Sequence, residues 1–570
     1  MGKAVILAVS VVMLVAIVAT VGVLTISGHH SGSESAQLQM AEISTSQKNI
    51  REFCRPTDYQ RTCETTLASV AGDDARPEDL INLAFNLTVN HIRQALHHSS
   101  VLREAARDPR TSEALANCRE LLDYAVDDLR SSVGRFDSFS LDKMDKFIDD
   151  LKVWISAAIT YQETCLDGFE GANTDAAASM RKALNISAEL TSNILAVVTY
   201  FGDTLDKLDL DGFGRKLLAD DDGELILYPS WVSSGNRRLL QLSPAELKPD
   251  VTVAQDGSGD FKTIGEAILH VPKKSYKKVV IYIKEGVYRE QVHVNRSHTN
   301  LMMVGDGPTK TKITGSLNYV DGVSTYKTAT VAVVGNGFIA KDLWIENSAG
   351  PEKHQAVALR VQSDKSVFFN VRLDGYQDTL YVHTQRQFYR DCTITGTIDF
   401  IFGDAASILQ NCLILARKPL DNQKNIVTAQ GRKDRRCAGA IILHDCTVSA
   451  DPVYFPFRHR IPTFLGRPWK EYSRTIVMQS QLDDLISPQG WLPWLGDFGL
   501  RTCFYAEIDN RGPGSDKSQR VKWRGIKNID LNHAHKYTVE QFIKGNAWLP
   551  QTGLPFVPGL LSPMEPGRIH

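Results

Sequence analysis

Several features of common protein classes are scarce or missing in this sequence. It contains no CxxC pair, and its 15 histidines are scattered, so a structural zinc site is not expected. Its basic residues do not gather in a nucleic-acid-binding motif, and the formal net charge is −2, so we predict no nucleic-acid partner. The stretch from Asp256 to Asp260 lacks the lysine of a phosphate loop and the length of an EF-hand, so we expect a turn there. No residue pattern calls for a metal ion or a cofactor.

The composition is that of a folded chain with more than one part. The 570 residues are 43% hydrophobic and 23% charged, which excludes a disordered tail and a collagen-like repeat. Acidic residues are in excess over residues 1–240, and basic residues are in excess over residues 241–570. We therefore predict two units of opposite charge, of which the basic one is suited to a polyanionic partner.

The N-terminus carries an uncharged run of 25 residues from Ala4 to Gly28. This run can span a bilayer of about 30 Å, exceeds the usual apolar core of a signal peptide, and is followed by no clear cleavage site. We predict a signal-anchor transmembrane helix over residues 1–28, with a cleaved signal peptide as the alternative. In both cases the rest of the chain enters the secretory pathway, and three N-glycosylation sequons, at Asn86, Asn185 and Asn295, agree with that route.

Residues 49–201 have the apolar spacing of amphipathic helices. The stripe from Leu115 to Leu129 recurs with the same spacing from Leu151 to Cys165, and glycine and proline are sparse. Each stripe buries one helix face against a neighbour. We predict an all-α four-helix bundle here, without a catalytic constellation.

Four of the nine cysteines lie in this helical region, and in an oxidising compartment they should pair. Cys54 and Cys63 are close enough to join a short N-terminal hairpin, and Cys118 and Cys165 lie on the core faces of two helices that they could tie together. With these cysteines the region resembles the plant invertase and pectin methylesterase inhibitor family, whose four cysteines pair in order along a helical bundle. The resemblance implies an inhibitor-like pro-region.

Residues 202–248 form a predicted linker, and residues 203–223 within it are rich in Asp and Gly. It contains two basic sites, each followed by two leucines: Arg215 with Lys216, and Arg237 with Arg238. Exposed basic pairs in a flexible segment suit a processing protease, which we predict as a partner. The alternative is a solvated charged linker.

Beyond Pro249 the sequence changes to short β-rich runs with frequent glycines. An Asn or Asp precedes a buried-looking residue at five places, and the second members of these pairs are 28, 21, 20 and 34 residues apart. The pairs are Asp342-Leu343, Asn370-Val371, Asp391-Cys392, Asn411-Cys412 and Asp445-Cys446. A recurrent step of just over 20 residues, without interleaved helices, predicts a right-handed parallel β-helix, an all-β solenoid, over residues 249–560.

The solenoid model makes predictions for the remaining cysteines. Residues one coil apart stack at about 4.8 Å, so Cys392 and Cys412, which are 20 residues apart, are predicted to form a disulfide. Cys437 and Cys446 could close a local hairpin. Cys503 would then be the odd thiol.

The same spacing brings candidate catalytic residues together. Gln355, Gln377, Asp378 and Asp399 fall on three successive coils, at intervals of 21 or 22 residues. Two close carboxyl groups cannot easily both ionise, so one stays protonated as an acid while the other is an anion that can act as a nucleophile. Glutamine amides can donate hydrogen bonds to an oxyanion. The alternative is a polar ladder along the outside of the solenoid.

Five sequence motifs stand in order along this half of the chain. They are GVYRE at Gly286–Glu290, QAVAL at Gln355–Leu359, QDTL at Gln377–Leu380, DFIFG at Asp399–Gly403 and LGRPW at Leu465–Trp469. Through these motifs the half resembles the plant pectin methylesterases. With the helical region in front, the whole chain resembles the pectinesterase/pectinesterase inhibitor precursors.

The resemblance implies roles for individual residues. Asp399 would be the nucleophile, and Arg467 would hydrogen-bond it and keep it ionised. Asp378 would be the protonated acid and later the base, while Gln377 and Gln355 would stabilise the oxyanion.

A second set of residues is implied to bind the sugar chain. Thr325 and Trp469 would line the groove together with Gln355 and Arg467. The alternatives are that Arg467 is a loop cation and that Trp469 is part of the core.

The implied activity is hydrolysis of the methyl esters of pectin, which would modify the plant cell wall. A glycosidase or a lyase acting on the same polymer is the competing enzyme class, although neither predicts glutamines beside the acids. Residues 49–201 would inhibit the attached enzyme or control its secretion, and separate inhibitor proteins would be further partners. A scaffolding or folding-assistant role for this region is the alternative.

Overall fold

The computed structural model describes residues 45–97, 103, 107–134, 144–170, 175–207 and 248–561. The chain divides into two compact units, Met1–Gly223 and Glu224–His570. The predicted signal-anchor at residues 1–28 and the basic sites Arg215-Lys216 and Arg237-Arg238 lie outside the described residues. Within the described ranges, no helix is both long enough and apolar enough to cross a bilayer.

The N-terminal unit is helical, as predicted, but two short helices precede four long ones. In chain order they are α1 (Thr45–Cys54), α2 (Gln60–Ala68), α3 (Pro77–Ala95), α4 (Pro109–Gly134), α5 (Met144–Asp167) and α6 (Ala176–Lys207). Local signals fix where two of them begin. Pro77 starts α3, where a missing N–H costs no hydrogen bond, and the Asp108 carboxylate accepts the backbone N–H of Thr111 at 2.8 Å in the first turn of α4.

The core of the helical unit lies where the sequence stripes predict it. Leu115 and Leu129 on α4 and Leu151 and Tyr161 on α5 are buried. The helix α4 packs against α5, which packs against α6, and α3 packs against both α4 and α6. The disulfides Cys54–Cys63 and Cys118–Cys165 are both formed, with Cα–Cα distances of 5.8 and 4.5 Å.

Two predicted sequons lie on this helical surface. Asn86 on α3 and Asn185 on α6 are exposed, whereas the hydroxyl residues of the same triplets, Thr88 and Ser187, are buried and donate to backbone carbonyls. The third, Asn295, lies in the C-terminal unit, where its side-chain oxygen accepts a hydrogen bond from the Ser297 hydroxyl at 2.6 Å.

The C-terminal unit contains short parallel strands that succeed one another along the chain. The first thirteen are β1 (Val251–Val253), β2 (Val279–Ile283), β3 (Gly286–Arg289), β4 (Val292–Val294), β5 (Leu301–Gly305), β6 (Thr311–Gly315), β7 (Val331–Val333), β8 (Ile339–Lys341), β9 (Trp344–Asn347), β10 (Leu359–Val361), β11 (Ser366–Phe369), β12 (Arg372–Asp374) and β13 (Leu380–Val382). The next thirteen are β14 (Arg386–Arg390), β15 (Thr393–Gly396), β16 (Ile401–Gly403), β17 (Ala406–Gln410), β18 (Leu413–Ala416), β19 (Asn425–Gln430), β20 (Ala440–His444), β21 (Thr447–Ala450), β22 (Thr463–Gly466), β23 (Arg474–Met478), β24 (Gln481–Leu482), β25 (Phe504–Ile508) and β26 (Ile526–Lys527).

These strands form three parallel sheets, and each coil of the chain contributes one strand to each sheet in turn. Sheet A has eleven strands, in the order β1-β2-β5-β8-β11-β14-β17-β20-β23-β25-β26. Sheet B has eight, in the order β24-β21-β18-β15-β12-β9-β6-β3, and sheet C has seven, in the order β22-β19-β16-β13-β10-β7-β4. Side chains from all three sheets meet in one continuous apolar core, so the predicted parallel solenoid is confirmed.

The repeated Asn or Asp of the sequence marks one corner of every coil. The strands that follow these residues pair in register, which confirms the predicted step along the chain. Asp342, Asn370, Asp391, Asn411 and Asp445 all have φ between 51° and 55°. Asn and Asp tolerate this left-handed conformation better than other residues with a side chain, which explains the repeat.

Short helices close the first coil and cover one outer face. The helix α7 (Ile264–His270) begins where the Glu290 carboxylate accepts the backbone N–H groups of Ile264 and Gly265, each at 3.0 Å. This contact accounts for the glutamate of the GVYRE motif. The helices α8 (Leu531–Ala534) and α9 (Val539–Phe542) pack with the outward apolar side chains of sheet A in a second core.

The predicted disulfide between Cys392 and Cys412 is wrong, because both residues are buried thiols. They stack with Cys446, also a thiol, at the same register position of three successive coils. Side chains at one register position project in the same direction, with Cβ atoms about 4.8 Å apart, whereas a disulfide needs about 3.8 Å. Cys446 belongs to this row, so its predicted bridge to Cys437 does not form either. Cys503 is a buried thiol, as expected.

Candidate active site

Two aspartates lie at the same position of adjacent coils. Asp378 precedes β13 and Asp399 precedes β16, and the pairing of Leu380 with Ile401 sets the two aspartates in register. The backbone N–H of Asp378 donates to the carbonyl of Ile398 at 3.1 Å. Both aspartates have positive φ, 66° and 51°, a backbone state that is uncommon outside glycine and collects at functional sites.

Both carboxyl groups are buried, and Arg467 contacts one of them. Asp378 is 7% exposed and Asp399 is 5% exposed. The Arg467 Nε donates to Asp399 Oδ1 at 2.8 Å and its Nη2 donates to Oδ2 at 2.5 Å, which makes a planar two-point contact. Arg467 follows β22 directly, and its backbone N–H donates to the carbonyl of Thr428 at 3.0 Å. The LGRPW motif thus supplies a cation to the aspartate of the DFIFG motif.

The two aspartates differ in their tendency to hold a proton. Burial raises the pKa of Asp378 well above its usual value, and the neighbouring Asp399 charge raises it further against the opposing charge of Arg467. Burial also raises the pKa of Asp399, but the hydrogen bonds and charge of Arg467 oppose that rise. The arrangement therefore favours a protonated Asp378 beside an ionised Asp399, an acid beside a nucleophile.

Two glutamines lie on the same edge as the aspartates. Gln377 directly precedes Asp378, and Gln355 lies one coil earlier, where the N–H of Ala356 donates to the carbonyl of Gln377 at 3.2 Å. Both glutamines are half-buried. Their side-chain amides are neutral hydrogen-bond donors, the type of group that stabilises a developing oxyanion.

A row of aromatic rings runs along the outer face of sheet C. The rings of Tyr381 and Phe402 stack with centroids 4.2 Å apart, and Trp469 meets Phe402 edge-on at 5.9 Å. Trp469 is half-buried, whereas Phe400 points inward and is part of the solenoid core. A half-buried row of rings beside two carboxyl groups offers an apolar platform for a sugar chain.

Glycine is required in the DFIFG motif at Gly403. Its φ is 126°, and a Cβ atom there would lie 2.0 Å from the carbonyl oxygen of Val382. The backbone of β16 therefore passes against β13 at the end of the aromatic row.

Thr325 lies at the start of a short 3-10 helix, Thr325–Lys327, beside sheet C. The Tyr326 ring of this helix lies 3.6 Å from the guanidinium carbon of Arg360, which pairs in register with Tyr381. The structure thus locates the predicted groove residue Thr325 at the continuation of the aromatic row.

Sequence reasoning missed two aromatic residues near Arg467. The Trp494 ring centroid lies 4.3 Å from the Arg467 guanidinium carbon. Tyr505 is fully buried, and its hydroxyl lies 2.8 Å from that of Ser473. Neither shares the constant step of the catalytic candidates, so spacing alone could not identify them. In the described part of the chain, no group of three or more His, Cys, Asp or Glu side chains is arranged to hold a metal ion.

Both halves of the chain match known families. Residues 250–546 match the family described as Pectinesterase, and residues 48–197 match the family described as Plant invertase/pectin methylesterase inhibitor. Probable pectinesterase/pectinesterase inhibitor 21 of Arabidopsis thaliana is 47% identical over 561 residues, which cover 98% of this chain and 82% of that protein. Probable pectinesterase/pectinesterase inhibitor 58 of the same plant is 46% identical over 565 residues, covering 97% and 98%. Among solved structures, pectin methylesterase from carrot is 50% identical and has a TM-score of 0.55, covering 55% of this chain and 99% of that one.

Proposed function

The chain belongs to the pectinesterase family and is a pectin methylesterase with an inhibitor-like domain, and we propose that Asp399 and Asp378 carry out its reaction. The observation that carries this assignment is the two-point contact of Arg467 with Asp399, beside a second buried carboxyl group. A guanidinium on one aspartate only gives two like groups different charges, which is what a nucleophile and an acid require.

The proposed reaction starts from the methyl ester of a galacturonate unit of homogalacturonan. Asp399 attacks the ester carbonyl carbon, and Gln377 and Gln355 donate hydrogen bonds to the oxyanion that forms. The C–O bond to the methoxy group breaks, Asp378 transfers its proton to the departing methanol, and an acyl-enzyme anhydride on Asp399 remains. Water then attacks the acyl carbon while Asp378 takes back a proton, so the product is a carboxylate and Asp399 is free again.

We assign the binding of the sugar chain to the aromatic row and the groups at its ends. Thr325, Trp469, Gln355 and Arg467 are the residues proposed to contact substrate. The half-buried position of Trp469 against Phe402 supports this role over a place in the core. The basic excess of residues 241–570 supports attraction to the increasingly anionic polymer.

Asp399→Asn tests the nucleophile. We expect methanol release from pectin to fall by roughly 10³-fold or more, because an amide can neither attack nor form the anhydride. The matched control is Asp391→Asn, a corner aspartate with φ of 55° whose neighbours in the stack, Asn370 and Asn411, are already asparagines. The control should keep parental activity.

Full activity of Asp399→Asn, with its fold checked by circular dichroism, would remove the assignment. Chain length is measured in the same assay, because a glycosidase or lyase would shorten the polymer, whereas an esterase releases methanol and leaves the chain intact.

We further propose that residues 49–201 inhibit the catalytic region of residues 249–560 until the linker at 202–248 is cut. The opposite charges of the two halves and the basic pairs Arg215-Lys216 and Arg237-Arg238 support this role and a processing protease as a partner. The test compares the full chain with a form that begins at Gln241, and equal activity with equal secretion rejects the idea. Separate inhibitor proteins are proposed as additional partners of the processed form.

The remaining proposals concern targeting and architecture. The apolar run at residues 1–28 and the sequons at Asn86, Asn185 and Asn295 support secretion as a glycoprotein to the cell wall, with residues 1–28 as membrane anchor or signal peptide. The mutual packing of α3 to α6 supports a four-helix bundle as the core of the inhibitor-like domain. A right-handed coil is proposed for the solenoid, because parallel crossovers almost always have that hand.

A further inference from the structure

A buried ion pair lies in the C-terminal coils, outside the site described above. Arg520 is 7% exposed and Glu507 is 9% exposed, and the Arg520 Nε and Nη2 donate to the Glu507 carboxylate at 2.9 and 3.0 Å. Arg520 also donates to the carbonyls of Pro488 at 3.0 Å and Gly514 at 2.5 Å. Burial of two charges is costly unless their hydrogen bonds are satisfied, and this pair meets that condition.

The pair fixes the chain segment that ends at Trp491. The Trp491 indole donates to Glu507 Oε1 at 3.1 Å, and its ring stacks on Tyr505 with centroids 4.3 Å apart. Gly490 has φ of 71°, and a Cβ atom there would lie 2.4 Å from Arg520 Cδ. The Gly490-Trp491 backbone is therefore held by Glu507 on one side and by Arg520 on the other.

This segment reaches Arg467 in two ways. Its backbone pairs with the end of β22, because the N–H of Leu465 donates to the carbonyl of Gly490 at 2.8 Å and the N–H of Leu492 donates to that of Gly466 at 3.0 Å. Its side chain Trp494 lies against the Arg467 guanidinium, 4.3 Å from ring centroid to carbon. The segment thus holds both the backbone directly before Arg467 and a face of its side chain.

We propose that Glu507 and Arg520 are positioning residues, which act through Trp491 and Trp494 to align Arg467 with the Asp399 carboxylate. The proposal rests on the assignment of Asp399 as nucleophile. Two parallel hydrogen bonds between a guanidinium and a carboxylate need both planes aligned, and a stacked ring on the guanidinium restricts its rotation.

The consequence of a looser Arg467 is a change in the ionisation of Asp399. The charged and titratable groups that face Asp399 are Arg467, Asp378 and the Tyr505 hydroxyl. Burial raises the pKa of Asp399, and Arg467 opposes the rise, so a weaker contact raises that pKa further. Because the reaction needs ionised Asp399, the acid limb of the activity profile should move to higher pH.

Trp491→Phe tests the proposal in the full chain, assayed intact or cleaved, whichever form of the parent is active. The substitution keeps the stacked ring and removes the indole donor to Glu507. We expect kcat to fall roughly tenfold, with a smaller change in KM, and the acid limb to shift to higher pH. The matched control is Trp548→Phe, which also loses an indole hydrogen bond, to the carbonyl of Ile543 at 2.9 Å, within the second core.

An unchanged acid limb and kcat in Trp491→Phe, or the same changes in Trp548→Phe, would overturn the proposal. Glu507→Gln, measured by the same profile, should shift the limb in the same direction if it folds, and an unshifted limb in folded protein would count against the pair. Asp399→Asn separates the two levels of the argument. If that variant stays active, the proposed function fails, whereas an inactive Asp399→Asn with a parental profile for Trp491→Phe rejects only the positioning role.

Discussion

The helical unit and the solenoid are stabilised in different ways. In the helical unit every backbone hydrogen bond closes within a helix, so neighbouring helices are joined by side chains and by two disulfides. In the solenoid each strand is hydrogen-bonded to the coil before it and the coil after it, and Cys392, Cys412, Cys446 and Cys503 remain thiols. Cross-links therefore occur where the backbone makes no connection between elements.

The difference teaches that cysteine position within the fold decides pairing, even within one chain. Cys118 and Cys165 approach from two facing helices, so their Cβ atoms can point at each other. Cys392 and Cys412 project side by side from parallel strands, and no rotation of either side chain brings the Cβ atoms closer. Four changes test this contrast.

The largest effect is expected from removal of the Cys118–Cys165 disulfide by a double substitution to alanine. The bridge closes 47 residues, and its loss should lower the free energy of unfolding of the helical unit by about 4 kcal/mol. Urea denaturation followed by circular dichroism at a helical wavelength measures it. A comparable loss in the solenoid transition would contradict the contrast.

Removal of the Cys54–Cys63 disulfide should have a smaller effect of the same kind. Its loop is 9 residues, for which chain entropy predicts about 2.5 kcal/mol. The same denaturation experiment compares the two variants. A reducing agent serves as an independent check, because it should lower the helical transition and leave the solenoid transition in place.

A single Cys412→Ala substitution should cost the solenoid about 1 kcal/mol, since one buried heavy atom is lost from a stacked row. Cys412→Ser should cost more, because it buries a hydroxyl at the same place. Thermal denaturation of the two variants gives the order. Equal stability of the alanine and serine variants would show that the row is not tightly packed.

The smallest effect is a pH-dependent gain of stability in Asp378→Asn. The pKa of Asp378 is raised in the folded state, so its stabilising contribution is present below the unfolded pKa and is lost as pH rises through the folded value. Asparagine never ionises, so the variant should be more stable than the parent at neutral pH, with a smaller difference near pH 4. Melting temperatures at both pH values measure it, and a gain that grows toward acid pH would contradict the sign.

Much of the solenoid could be predicted because its corners require one backbone conformation. Asp391 and Asn411 recur at nearly the same spacing as the coils, since few other side chains tolerate positive φ. Asp378 and Asp399 followed from the same step. The step itself did not determine the direction of side chains, which is why Cys392 and Cys412 were predicted to bond.

The rest of the site depends on loops of unequal length. Arg467 is 68 residues beyond Asp399, so only the motif, and no spacing rule, connected the two. Trp494 and Tyr505 come from coils whose connections differ in length from those of the earlier coils. Long-range contacts of this kind depend on the path of each loop, which local sequence patterns do not specify.

The C-terminal segment that covers sheet A has a consequence for biosynthesis. Gln410 exchanges two hydrogen bonds with the backbone of Val557, and Gln479 does the same with Leu561. The outward apolar side chains of sheet A stay exposed until this segment leaves the ribosome, almost at the end of translation. A nascent chain thus presents a long sticky surface while its coils are already stacking, which makes chaperone binding most important just before synthesis ends.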